Sequence, residues 1–162
     1  MNTTNTECCP LFNPEKWDQK TFQWDNKPFI KESMSTFLHI PFPSVIAKKV
    51  IKLCKLLEDS KIAEEKKEDV LLLFRDPGAF KSEIYLSVTG TVPGADNVSI
   101  SGTFIAKVYN GPFNAVPRFI KQMNEYLSGM NKKAKDYYIH YAYCPKCAKK
   151  YGANYMIIFA MI

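Results

Sequence analysis

Among the predicted strands of this 162-residue chain, only one carries a carboxylate inside its run. That residue is Glu83, in SEIYLSVTG (82–90). Period-two alternation turns Ile84, Leu86 and Val88 toward a covering helix and leaves Glu83, Tyr85 and Ser87 on the opposite face. A carboxyl group set there among tyrosines is expected to have its pKa raised by desolvation. It could then pair with a ligand cation or position an attacking water as a general base. The competing reading is a solvent-facing glutamate at a strand start. In GTFIAKVYNG (102–111), Phe104, Ala106 and Val108 read as core, while Lys107 and Tyr109 join the face of Glu83. In the next strand Tyr137, Ile139, Tyr141 and Tyr143 share one face, and Tyr138, His140 and Ala142 share the other. Tyr85, Tyr109, Tyr141 and Trp24 are candidates for an aromatic cage, offering π-faces to planar or cationic ligands. Lys107, Tyr143 and His39 complete the expected ligand-binding set, although His39 reads equally as a satisfied structural imidazole. A Tyr hydroxyl, with Tyr109 as the candidate, could polarise a substrate carbonyl beside Glu83.

The cysteines carry a second kind of chemistry. Cys144-Pro-Lys-Cys147 has the C-x-x-C spacing of a zinc knuckle, and Cys8-Cys9 could complete a site of four thiolates. Adjacent cysteines diverge and suit a tetrahedron less well than a spaced pair. Lysines 146, 149 and 150 would offset part of the thiolate charge. Structural zinc, a redox dithiol and plain thiols all stay open on spacing alone. Cys54 falls on the inner stripe of a predicted helix and reads as core. The chain has no G-x-S-x-G elbow, P-loop or G-x-G-x-x-G, so a covalent hydrolase of the usual kinds is not expected.

The elements that must position these residues come in a repeated order. Met34 to Pro41 reads as a strand. A helix follows from Pro43 and Ser44, with Val45, Ile46, Val50, Leu53, Cys54 and Leu57 on one stripe. Strands at 70–74 and 82–90 flank Asp76-Pro77-Gly78, a turn signal. Residues 91–100 link this unit to a second one: strand 102–109, a Gly111-Pro112 break, helix 114–127, and strands 137–143 and 154–161. Two helices cannot cover both faces of a sheet with six or more strands, so an antiparallel α+β sheet is preferred over a doubly wound one. The expected organisation is an N-terminal arm (1–33) packing on one domain (34–162), with repeat one at 34–90 and repeat two at 102–162. Both helices should lie on one face, leaving a ligand cleft between the repeats. Within the arm, TFQW and PFIK read as extended segments about a turn at Asp25-Asn26-Lys27.

Composition narrows the partners. A hydrophobic share of 46% with 14% aromatic residues argues against disorder. The net charge is +6, yet of 22 basic residues only Arg75 and Arg118 are arginines, and the lysines are dispersed. Specific nucleic-acid readout relies on Arg forks, so no specific nucleic-acid partner is expected. No apolar run reaches a membrane span and the N-terminus is polar, so no membrane association and a cytoplasmic location are expected. A homodimer is compatible with the sequence.

Strand, Gly-Pro-aromatic turn and helix in GTFIAKVYNGPFNAVPRFIKQMNEYL, together with the duplication, resemble the GyrI-like small-molecule-binding family over roughly residues 34–162. The CCPLFNPEKWDQK and CPKCAKKYGANY blocks resemble a subset of that superfamily labelled simply as hydrolase. The resemblance implies binding of apolar, often cationic or electrophilic compounds in a cleft between repeats, commonly with an acid among aromatic rings. One subset hydrolyses cyclopropanoid DNA-alkylating natural products in such a cage. The implied activity is thus binding of xenobiotics with hydrolysis, in which Glu83 would activate water and the chemistry requires no cofactor; a structural zinc at the cysteines stays open. One departure stands out: strands 137–143 and 154–161 carry no acid beyond Asp136, where regulator-linked members place theirs. A ligand-sequestering module without catalysis and a zinc-stabilised interaction protein are the alternatives.

Overall fold

The computed structural model describes residues 9–38, 42–64 and 66–162. Its strands are β1 (Lys20–Ser35), β2 (Leu72–Gly78), β3 (Lys81–Ser87), β4 (Asp96–Asn110), β5 (Asp136–Tyr141) and β6 (Tyr155–Met161). Its helices are α1 (Pro43–Ser60), α2 (Val116–Ser128) and α3 (Pro145–Tyr151). Every strand pair is antiparallel, as the shortage of helices predicts. The pairing runs β1-β3-β2-β5-β6-β4, and β4 pairs β1 again, so the sheet closes on itself as a barrel. The expectation of two helices is corrected to three, because the CPKC segment opens a short helix between β5 and β6.

Closure explains where the apolar residues go. Phe29, Leu73, Tyr85, Phe104, Tyr138 and Phe159 form the inner core, with the Trp24 ring tilted against Phe104 at 4.3 Å. α1 covers the outside of β1 and β3, burying Leu53 and Leu57 against Ile30, Ile84 and Leu86. Lys49 and Lys52 of α1 pair with Glu32 of β1, the first at 2.8 Å, fixing the helix's position along the strand. α2 covers β4 and β6 through Phe119, Met123 and Leu127.

Residues 20–33, read from sequence as part of an arm, form most of β1, and that strand supplies the pairing that closes the barrel. Its alternation is hidden by an irregularity between Trp24 and Lys27, where Asn26 adopts a φ of 49°. An extra residue there flips the parity, so Trp24 and Phe29 both reach the interior although five positions apart. Asp76-Pro77-Gly78, expected to be the hairpin turn, lies inside β2, where the register shifts between Arg75 and Gly78. Among the described residues no helix is long and apolar enough to cross a membrane.

Candidate active site

One end of the barrel gathers charge. Glu83 sits near the start of β3, opposite Ser33 of β1 and Arg75 of β2. Its side chain turns inward, and the residue is only 4% exposed. The Tyr85 hydroxyl donates to Glu83 Oε2 at 2.5 Å, and Arg75 Nη1 donates to the same oxygen at 2.9 Å. Lys81 Nζ lies 3.3 Å and Lys31 Nζ 3.8 Å from Oε1. Arg75 also donates from Nε to Asp136 Oδ2 at 2.6 Å, joining β2 to the first residue of β5. Among the described residues, three cations thus meet two carboxylates here.

The electrostatics correct one expectation. Burial is the largest single influence on the Glu83 carboxyl and pushes its pKa up, as expected from sequence. The hydrogen bonds from Tyr85, Arg75 and Lys81 and the charge of Lys31 together outweigh it, so the group is held below the ordinary carboxylate value. Glu83 is therefore ionised at neutral pH. Burial, then the hydrogen bond and charge of Glu83, push the Tyr85 phenol well up, so it keeps its proton. Burial also raises the Tyr138 phenol, against the pull of Arg75.

Beside this cluster, and sharing Tyr85 and Lys31 with it, lies a recess of about 240 Å³. Its walls include Val98, Ile100, Tyr138 and Met161. The rings of Tyr85 and Tyr138 meet edge to face at 5.7 Å, and the Arg75 guanidinium lies 5.9 Å from the centre of the Tyr138 ring. Ligand pockets commonly enclose roughly 300–1,000 Å³, so the recess suits a small group rather than a large ligand. A neighbouring hollow of about 310 Å³ shares Val98 and Ser99 as its wall.

The sequence-selected residues divide. Glu83 and Tyr85 meet at the site. Tyr109 does not: it faces α2, stacked 4.8 Å from Phe119, with its hydroxyl 3.8 Å from Met123 Sδ. Lys107 lies on that same outer side, 5.2 Å from the centre of the Tyr126 ring. Alternation misplaces both because β4 is buried on each side, so polarity cannot say which face is which. Trp24 is packed in the barrel core at 8% exposure rather than lining an opening. Tyr141 packs outside, 5.2 Å from Phe74 and 5.5 Å from Phe113. Tyr143 is buried at the other end, its hydroxyl accepting from the Phe12 amide at 2.9 Å. Cys9, Cys144 and Cys147 converge, with all three Sγ atoms within 4.8 Å of one another, and could hold a metal. Cys8 and His39 lie outside the described residues.

Sequence reasoning missed Arg75, Lys31, Lys81, Asp136 and Tyr138. Arg75, one of two arginines, was the available signal, since it lies close before the strand that carries Glu83. The irregular Asp76–Gly78 segment hides their register. Asp136 is 61 residues from Arg75, and only the closed pairing brings them together.

A family model described as bacterial hydrolase matches residues 1–162. No match was found among curated proteins. Among solved structures, an uncharacterized conserved protein from Listeria innocua is similar at a TM-score of 0.64 and 12% identity, over 89% of this chain and 92% of that one. A hydrolase from Listeria innocua is similar at a TM-score of 0.57 and 11% identity, over 90% and 93%. At these identities the likeness is one of fold.

Proposed function

Because the chain belongs to the bacterial hydrolase family, we propose that it is a GyrI-like small-molecule hydrolase acting at the Glu83 end of the barrel. One observation carries this reading. A buried, ionised carboxylate, oriented by Tyr85 and Arg75, adjoins a recess with tyrosine walls. The element order strand-helix-strand-strand also occurs twice, β1-α1-β2-β3 and β4-α2-β5-β6, with α3 inserted before β6. That order supports a duplicated GyrI-like unit whose first copy includes the segment 20–33.

In this reading a small apolar or electrophilic compound lies against Tyr85 and Tyr138. Glu83 holds a water, which adds through its oxygen to the electrophilic carbon, and the proton it sheds passes to the carboxylate. The electron pair of the breaking bond moves to the leaving atom or to a conjugated carbonyl oxygen, where Lys31 and Arg75 stabilise the charge. Glu83 then returns the proton, so one water is consumed and one bond cleaved. A carboxylate with a lowered pKa is a weak base, so the water it holds reacts only where the cations stabilise the charge that develops, and both parts are needed for turnover. The excess of cations disfavours a cationic ligand, while apolar xenobiotics with an activated carbonyl or strained ring suit it. A metal at Cys9, Cys144 and Cys147 would be structural, far from the Glu83 end, and would take no part in this chemistry.

The saturation of Glu83 by Tyr85, Arg75 and Lys81 specifically favours a second reading, sequestration of such compounds without turnover. Incubating the full chain with cyclopropanoid and activated-ester compounds, and following products by mass, separates the two. Turnover that disappears in Glu83→Gln while binding persists supports hydrolysis. Stoichiometric capture of unchanged compound rejects hydrolysis and supports sequestration.

A further inference from the structure

The end of the barrel opposite Glu83 holds a separate feature. β5 begins at Asp136 beside Arg75 and ends at Tyr141, so the β5–β6 connection that carries α3 lies at the far end. There Cys144 precedes α3, Cys147 lies in its first turn, and Cys9 approaches from the N-terminal segment. We propose that Cys9, Cys144 and Cys147 bind a soft divalent metal as thiolates, zinc foremost, and that the metal fastens the N-terminal segment across that end of the barrel.

The geometry fits. A tetrahedral ion with bonds of about 2.3 Å to sulfur sets its ligands about 3.8 Å apart. The three Sγ atoms already lie within 4.8 Å of one another, so closing on an ion needs shifts of well under an ångström for each. A disulfide would use two sulfurs at about 2.05 Å and leave the third without a role. The Cys144 amide donates to Cys9 Sγ at 3.3 Å, a bond that favours a charged sulfur. Lys146, Lys149 and Lys150 on α3 offset the charge of three thiolates around one divalent ion. The fourth position is left to a water.

What the ion would hold in place is also visible. The Tyr151 hydroxyl donates to the Cys9 carbonyl at 3.4 Å, and the Phe12 amide donates to the Tyr143 hydroxyl. Phe12 packs 5.2 Å from Tyr155, and Trp17 enters the inner core against Phe22 and Phe159. Asp18 Oδ1 accepts from the Val108 amide at 2.9 Å. The segment 9–18 is thus a plug with an apolar side, shaped by a short 3-10 turn at Pro14–Lys16 and tied to the barrel by these contacts and by the Lys16–Asp69 pair. A metal linking its first described residue to α3 would convert local fraying into a cost of breaking thiolate bonds.

This inference is independent of the hydrolase reading, and its test does not use activity. The full chain, freed of any affinity tag and purified under reducing conditions without chelator, should carry about one zinc per chain by elemental analysis. Cys54, read from the stripe as core, is exposed on α1, so Cys54→Ser should keep the zinc, and Cys147→Ser should lose it. Because Cys147→Ser could fail to fold, cobalt titration of the wild-type chain provides a second reading. It should show thiolate-to-cobalt charge transfer and the intense visible bands of a tetrahedral site. Adding a strong chelator should then speed proteolytic cleavage within residues 9–18. Near-zero zinc after reconstitution with excess zinc chloride, or a cobalt spectrum without thiolate charge transfer, would overturn the metal site. Unchanged cleavage after metal removal would overturn the fastening role.

Discussion

Replacing Glu83 by Gln keeps the shape of the side chain and removes its charge. In the wild-type site Oε2 accepts from Tyr85 and Arg75, and Oε1 faces Lys81 and Lys31. A glutamine can keep only one of these arrangements, since its NH₂ group must face a donor or a cation. Hydrogen bonds to a charged acceptor contribute roughly 1 kcal/mol more than neutral ones. Two such bonds therefore set a loss of about 2 kcal/mol. The lysine contacts, longer and partly solvated, add a few tenths each at roughly surface strength. Relief of the carboxylate's desolvation acts in the opposite direction, leaving a net destabilisation of about 1–3 kcal/mol. For a chain of this size that is a fall in Tm of roughly 2–4 °C per kcal/mol. The pH dependence has a definite sign. The folded-state pKa of Glu83 lies below its unfolded value, so its contribution is complete above the unfolded value of roughly 4.3. It is lost as pH falls through the folded value. Urea unfolding of both proteins at pH 7 and near pH 3 should show the gap at neutral pH and its narrowing in acid. Equal stability at pH 7, or a gap that widens on acidification, would refute the reasoning.

Three further outcomes follow from individual residues. Burial holds the His140 imidazole down at about 4, against the pull of the Leu72 carbonyl. Unfolded histidine protonates near 6.5, so stability should fall as pH drops from there toward 4, by at most about 3 kcal/mol. A His140 ring titrating by NMR at 6 or above would contradict this. A methyl group at Gly111 would lie 2.8 Å from Phe119 Cζ. Gly111→Ala must displace that ring under α2 and should cost about 1–3 kcal/mol in chemical denaturation; a neutral result would mean the ring yields freely. Tyr109→Phe loses only a weak contact to Met123 Sδ, so it should shift stability by less than about 1 kcal/mol and leave turnover unchanged. A large loss of turnover would return Tyr109 to the catalytic set.

Alternation read the β3 faces well. Ile84, Leu86 and Val88 do pack with α1, and Tyr85 does enter the interior. The same rule failed on β4 for a physical reason. Inside a closed barrel with helices outside, Phe104 and Ile105 are both fully at home in apolar surroundings, so hydrophobicity no longer labels a side. In β1, the irregularity at Asn26 reverses parity midway, so its sequence pattern reads as two extended pieces. α1 and α2 are legible because their stripes repeat every three to four residues, as Leu53–Leu57 and Phe119–Met123–Leu127 do, whereas α3 spans only Pro145–Tyr151 and is too short to show a stripe. The site itself was only half legible. Glu83 and Tyr85 are two residues apart, whereas Asp136 and Tyr138 arrive from a strand more than fifty positions away. Cys9 and Cys144 are 135 residues apart, and here the pairing was suggested by residue type alone.

Hydrolysis in oxygen-18 water tests the role of Glu83 most directly. With a compound that the wild-type chain turns over, the product should carry one heavy oxygen, at a rate lost in Glu83→Gln and kept in Tyr109→Phe. Heavy-oxygen product formed by Glu83→Gln at the wild-type rate would contradict a water held by that carboxylate.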